Sequence, residues 1–484
     1  MTAQKGKIGN LAVALTVSKM ITLIISIATS MLLSRSLSLN DYGTYSELQT
    51  VTALVVSIFA LGLPNSLNYF LPTFDKERRN KFIGLYFTAI TVISVIVGIV
   101  MFAGKGGFAK YYKNNDIIIY SFFLTIIPWT KIAVSSRSNM LIVDSKVKKE
   151  FIYCISNALC LLLITALMTV VGGSFKTYLI LYVFIEVVFG LLVYCEAYIS
   201  ADRKLKPDLD FKFIKTILVF SVPLGLSTAV STISLDLDKL IIGYFMDEKA
   251  VAVYANAGKE LPFSYISSSF TAVILPQIVK RVKENNTERA IEIWKKSSEI
   301  CFITLSFCAA ACIVFAPQII TVLYSEKYLS GVGIFRIYSL VLLTRITYWG
   351  MILNAYGKTK QIFYNSLYCL LINAVSSVVL YLLIGFEGPA IATLISIIFM
   401  ASIQLFHSSR LSGINFKKVF PWLEMLKESG VCVITAGIAF AAVKFLNLGT
   451  DTRSIFIAVL IGCIWLAIFV LLSFKRVKRL WQNI

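Results

Sequence analysis

Twelve ionisable side chains lie within long apolar runs of this sequence: Lys19, Lys131, Arg137, Glu186, Glu196, Asp236, Asp238, Lys239, Lys259, Glu260, Arg336 and Arg345. A charge at bilayer depth costs about 2.5–3.5 kcal/mol on insertion scales, so such groups are expected to face a protected cavity or one another. Lys19, Lys131, Lys259, Arg336 and Arg345 are the candidate cavity cations, suited to an anionic cargo: Arg offers a bidentate fork and Lys a point charge. Arg35, at a loop, suits a headgroup, a hinge or the cargo equally. Glu186, Asp236, Asp238 and Glu260 are candidate coupling groups, one titrating with a proton or two together holding sodium. A purely structural reading competes. Asp236 and Lys239 sit three apart, where one helical face lets them pair. Lys259 and Glu260 point to different faces and would pair with other helices, while Arg137, Glu196 and Lys239 lie near the ends of runs, where they can snorkel. His407, the single histidine, reads as an interfacial residue.

The elements that must position these groups are transmembrane helices. The chain has 484 residues, 57% of them hydrophobic and only 15% charged, with a mean hydropathy of +0.79. Soluble domains carry about 25% charged residues, so a soluble enzyme is excluded. Windows of about 19 residues give about 14 spans. The second covers Leu48–Leu71, the seventh Phe213–Phe245, the eighth Ala250–Pro276 and the tenth Val332–Leu353. The first run is too long for a signal peptide. All nine cysteines fall in apolar runs without a CxxC pair and read as small hydrophobes. The longest connection, Gln277 to Glu299, reads as an amphipathic surface helix carrying Ile278, Val282, Ile291 and Trp294; Asp210–Lys215 and Phe416–Trp422 read as interfacial too.

The net charge of +20 follows from 46 basic and 26 acidic residues. With both termini in the cytoplasm, about 30 basic residues fall inside and about 9 outside, the bias of the positive-inside rule. Anionic headgroups therefore account for the charge, and nucleic acid is not needed as a partner.

An internal repeat is faintly visible. Leu32-Leu33 and Tyr45 match Ile241-Ile242 and Tyr254; Lys146, Lys148 and Phe151 match Lys358, Lys360 and Phe363. The expected fold is an all-α membrane bundle of two pseudo-symmetric six-helix lobes, residues 1–209 and 210–410, followed by residues 411–484 with an interfacial helix and two further spans. Parallel repeats of this kind occur in secondary transporters.

The segment Leu33-Ser34-Arg35-Ser36-Leu37-Ser38-Leu39-Asn40-Asp41-Tyr42-Gly43-Thr44-Tyr45 resembles the first-loop pattern of polysaccharide repeat-unit flippases. Asp238–Gly243 and Gly388–Thr393 are similar to patterns that recur there. The family belongs to one superfamily with multidrug and toxic compound extrusion transporters and peptidoglycan-precursor flippases. The resemblance implies transfer of an undecaprenyl-diphosphate-linked oligosaccharide across the bacterial cytoplasmic membrane, for O-antigen, capsule or another glycan. It implies a polymerase and a chain-length regulator as partners, membrane lipids around it, and no resident cofactor. Basic cavity residues would hold the diphosphate, and Tyr, Asn and Ser the sugars. An ion gradient, Na+ or H+, is expected to drive it, since no GxxxxGK[ST] loop is present.

Three alternatives remain at this level. A multidrug cation antiporter would want an acidic or aromatic cavity rather than basic spans. A peptidoglycan-precursor flippase fits the helix count, but the Asp41-Tyr42-Gly43 pattern differs. A membrane polymerase or ligase usually needs a sizeable outer loop, and no outward loop here clearly exceeds about 15 residues. The charge bias predicts that a reporter fused after Ile484 is active in the cytoplasm; activity only outside the cell would reverse the orientation.

Overall fold

A computed structural model of the chain describes residues 2–144, 146–201, 211–259 and 261–482. Every regular element described is helical, as apolar runs in hydrocarbon require, because a helix satisfies its backbone hydrogen bonds internally. The chain divides into two compact units, Met1–Ala252 and Val253–Ile484. The expected lobe boundary at 209/210 lies outside the described residues.

The first unit holds α1 (Thr2–Ser36), α2 (Leu39–Phe59), α3 (Leu63–Phe70), α4 (Lys76–Tyr112), α5 (Asp116–Ile119), α6 (Ser121–Val143), α7 (Val147–Val171), α8 (Phe175–Ser200) and α9 (Phe211–Phe245); α10 (Glu248–Ala257) crosses the division. The second unit continues with α11 (Ser264–Lys283), α12 (Thr287–Val314), α13 (Ala316–Tyr324), α14 (Val332–Val341), α15 (Met351–Ala355), α16 (Thr359–Ile384), α17 (Gly388–Ser412), α18 (Phe416–Val419), α19 (Trp422–Phe445) and α20 (Thr452–Gln482). Among the described residues nine helical segments are long and apolar enough to cross a membrane, or ten when the bent α2–α3 pair counts as one; the segment Thr359–Ser412 contains both α16 and α17. This is a multi-pass, all-α membrane protein. α2 and α10 begin 209 residues apart, α4 and α12 211 apart, and α7 and α16 212 apart.

Each expected span coincides with helix, but five are broken, the fourth at Tyr120 between α5 and α6 and the ninth at Phe315 between α12 and α13 among them. The second bends by 47° between α2 and α3. Leu61 and Gly62 there adopt φ of 48° and 66°, and Pro64 opens α3, where its missing N–H costs nothing. The eighth is split between α10 and α11, and the tenth between α14 and α15. The seventh, with Pro223 inside it, is the continuous helix α9, whose first turns absorb the interfacial stretch expected near Lys215. The other expected interfacial stretch, Phe416–Trp422, holds the short helix α18 and the first residue of α19.

The surface helix expected over Gln277–Glu299 is absent. α11 runs on to Lys283 and α12 starts at Thr287, so the connection is a tight turn. Asn285 takes φ of 58°, and Asn286 caps α12 by accepting from the Arg289 amide. The apolar stripe that suggested a lipid surface finds protein instead: Ile278, Ile291 and Trp294 are buried with Met351, Ile352 and Phe420, and the Trp294 indole donates to Thr347 Oγ1 at 2.7 Å. At the far end of the second unit, Arg476 of α20 donates to Glu299 (2.6 Å) and Glu424 (2.8 Å) and also to Glu428, tying α12, α19 and α20 together.

The α2–α3 elbow rests on α9 backbone against backbone. A Cβ added at Gly62 would lie 2.3 Å from the Ser221 carbonyl, and one at Gly225 would lie 2.4 Å from the Leu61 carbonyl carbon. Replacing Gly225 by Ala should force these helices apart and destabilise the protein by about 1–3 kcal/mol, the usual cost of overpacking. The measurement is the thermal midpoint in detergent, and an unchanged midpoint would show that the crossing is loose.

Candidate functional site

The polar cavity of the first unit, about 470 Å³, is walled by α2, α3, α6 and α9. Helical spacing explains which residues reach it. On α2, Gln49, Thr52, Ala53 and Val56 recur at three and four residues and so share a face. Lys131 and Ser135 do the same on α6, and Thr228 and Thr232 on α9, while Asn65 comes from α3. The two threonine hydroxyls donate back to the carbonyls of Leu224 (3.0 Å) and Thr228 (3.1 Å). Their oxygens remain acceptors toward the cavity.

Lys131 is the charge on this wall. Its side chain is 35% exposed and donates to Glu186 Oε1 at 2.9 Å, whose own side chain is 1% exposed. An ammonium has three donors; one goes to Glu186 and another to the Tyr182 side chain, which leaves one. The Tyr182 ring centroid lies 5.7 Å from Lys131 Nζ. Behind the wall the Gln49 amide donates to the hydroxyls of Tyr45 (2.9 Å) and Tyr182 (3.2 Å). The arrangement presents hydroxyl, amide and ammonium groups to whatever enters, which suits a polyhydroxylated ligand with an anionic group.

The other sequence candidates are placed as follows. Lys19 and Arg35 are exposed on α1. Arg336 is half-buried on α14, its Nε donating to the Ile313 carbonyl at 3.2 Å. Arg345 is half-buried after the short 3-10 turn Leu342–Thr344, and Lys259 is half-buried just past α10. Of the carboxylates, Asp236 pairs with Lys239 at 2.7 Å, the intrahelical pair that the spacing allowed. Asp238 is buried, and Glu260 lies outside the described residues. Arg137 does not snorkel. It is 5% exposed, donates to Glu150 (2.6 Å) and Glu196 (2.5 Å) and lies 3.8 Å from the Tyr153 ring centroid, so it joins α6, α7 and α8. His407 contacts Asn365 at 3.3 Å.

Sequence reasoning missed Glu47, fully buried on α2. The expected span began at Leu48, one residue too late, whereas α2 starts at Leu39. Helical register from Tyr42 through Gln49 would have included it.

In the second unit an apolar groove of about 850 Å³ runs along α12, α13 and α20, lined by Phe307, Phe315, Ile319, Leu466 and Val470 among others. Hydrocarbon suits such a surface.

The sequence pattern of a family described as "Polysaccharide biosynthesis protein" matches residues 32–333. No curated protein matches the chain in sequence. Among solved structures, the lipid II flippase MurJ in an inward closed conformation superposes with a TM-score of 0.74 at 17% identity, over 96% of this chain and 99% of that one. An inward-facing multidrug resistance MATE family transporter of the MOP superfamily gives 0.62 at 16% identity, over 83% and 98%. A MOP superfamily transporter from Pyrococcus furiosus, described as having a binding pocket of reverse polarity, gives 0.55 at 14%, over 85% and 96%. At these identities the likeness establishes a shared fold.

The Lys131–Glu186 pair generates a stability prediction. Lys131→Met strands a buried carboxylate and should cost roughly 3–5 kcal/mol, while Lys131→Met with Glu186→Gln should recover most of that loss. Thermal midpoints of the purified variants decide it: equal losses in both would mean the pair is not the source.

Proposed function

Because the chain belongs to the polysaccharide biosynthesis protein family, we propose that it is a flippase for an undecaprenyl-diphosphate-linked oligosaccharide. It carries this glycolipid from the cytoplasmic to the outer leaflet of a bacterial cytoplasmic membrane by alternating access, drawing on a proton or sodium gradient, with both termini cytoplasmic. The observation that carries the reading is the first-unit cavity: a wall of Gln49, Thr52, Asn65, Ser135, Thr228 and Thr232 around the Lys131 ammonium. Neutral hydroxyl and amide groups match sugar hydroxyls, and an ammonium with one unspent donor matches a phosphate oxygen. Lys19, Arg35, Lys259, Arg336 and Arg345 are proposed as further phosphate contacts along the path, and Glu186, Asp236, Asp238 and Glu260 as coupling groups. The apolar groove of the second unit supports a lipid cargo. A polysaccharide polymerase and a chain-length regulator are the proposed partners.

A second reading takes its cargo from the name of the matched lipid II flippase; the same groups would serve a peptidoglycan precursor. A cationic drug fits less well, because Lys131 would repel it.

A deletion strain separates these readings. Loss of a surface glycan, with its lipid-linked precursor retained inside and normal cell-wall synthesis, is the expected result; an intact surface glycan would reject the proposal, and a cell-wall defect would favour the second reading. In complementation, the charge-free Lys131→Met, Glu186→Gln double variant should reach the membrane at the wild-type level yet restore glycan at least about tenfold less well, equivalent to about 1.4 kcal/mol of lost cargo interaction.

A further inference from the structure

We propose that Glu47 is a proton-binding site that couples α2 to the ion gradient. This deepens the transport reading and rests on it for the coupling role alone. Glu47 is fully buried on α2. Its Oε2 accepts from Asn114 Nδ2 at 2.8 Å, and Asn114 also donates to Thr44 Oγ1 at 2.8 Å, so that amide is fully spent. Its Oε1 is buried with no hydrogen-bond partner, as is the Tyr112 hydroxyl.

The surroundings make a permanent anion untenable. The charged side chains that act on Glu47 most strongly are Glu248, Asp247 and Asp116, all acidic; α4 contributes the neutral Tyr112 phenol, and none of the leading groups comes from α1 or α6. The contrast within the same unit is direct. Glu186, equally buried, has Lys131 at 2.9 Å, and Glu150 has Arg137 at 2.6 Å. Each of those carboxylates has a cation beside it; Glu47 has an amide alone. A protonated carboxyl leaves one hydroxyl unmatched, a far smaller cost than an uncompensated charge in a low dielectric. Glu47 thus takes one proton from water and keeps it while this end of α2 is closed. Returning the proton to water requires the site to open.

The same helix carries the cavity wall. Gln49 is two residues on, and Thr52 and Val56 follow on that wall. The beginning of α2 is pinned to the start of α10: Asn40 Nδ2 donates to Glu248 Oε1 at 2.9 Å, and a Cβ at Gly43 would lie 1.8 Å from the Glu248 carbonyl. Opening the Glu47 pocket therefore disturbs one rigid segment that reaches from the acidic corner to the cargo wall.

The test uses the full-length protein in lipid nanodiscs. If native Glu47 holds a proton that the unfolded chain has lost, stability falls as pH rises above the ordinary carboxylate value of about 4.3. The wild-type thermal midpoint should fall as pH rises above that value, and Glu47→Gln, which keeps the shape and the Asn114 bond, should match the wild type at the acid end and lose that part of the slope. In the deletion strain Glu47→Gln should lower surface glycan at least about tenfold. A variant whose midpoint tracks the wild type across the range overturns the proton site, and a lost slope with normal glycan overturns the coupling role. A deletion strain with intact glycan would instead reject the transport reading, leaving the midpoints to judge the proton.

Discussion

A charge surrounded by hydrocarbon has to find its opposite inside the protein, and that constraint organises this structure. Lys131 meets Glu186, Arg137 meets Glu150 and Glu196, and Lys239 meets Asp236. The partners sit on different helices in the first two cases, so each pair also fixes a helix–helix contact. Breaking such a pair by removing one member leaves the other uncompensated, which is costlier than deleting both. The pairs therefore cannot be read as idle cations awaiting an anionic cargo. Lys131 differs from Arg137 in keeping about a third of its side chain exposed on the cavity wall, and that exposure, rather than its charge alone, is what recommends it as the proposed cargo contact.

Backbone geometry is the second constraint. Small residues let helices approach where packing rather than hydrophobic force holds a membrane bundle together. Gly62 and Gly225 serve the elbow between α2 and α3, and Gly43 serves the corner between α2 and α10. The Asp41-Tyr42-Gly43 segment thus has a physical meaning beyond any resemblance: Ser38 caps α2 through the Asp41 amide, and Gly43 lets the Glu248 backbone come close.

Much of this was legible in the sequence, and the failures have identifiable causes. Apolar runs located the helices, since hydrophobic length is a direct demand of the bilayer, but not the breaks inside five of the expected spans; the three-residue spacing of Asp236 and Lys239 foretold their pair. The Gln277–Glu299 stretch misled because an amphipathic stripe looks alike whether it meets lipid or a protein core; Trp294 and Ile291 turn out to be buried in the latter. The Lys131–Glu186 partnership spans 55 residues, a relation that only the packing of α6 on α8 creates. Glu47 was overlooked because a hydropathy window begins where charge ends, whereas the helix begins at its cap.

The elbow crossing also decides where a lipid tail can go. With the Gly225 backbone pressed against Leu61 and Gly62, no acyl or polyprenyl chain can pass at that crossing point. The glycolipid proposed as cargo, with its head against Lys131, would have to trail its hydrocarbon out by a path other than this crossing.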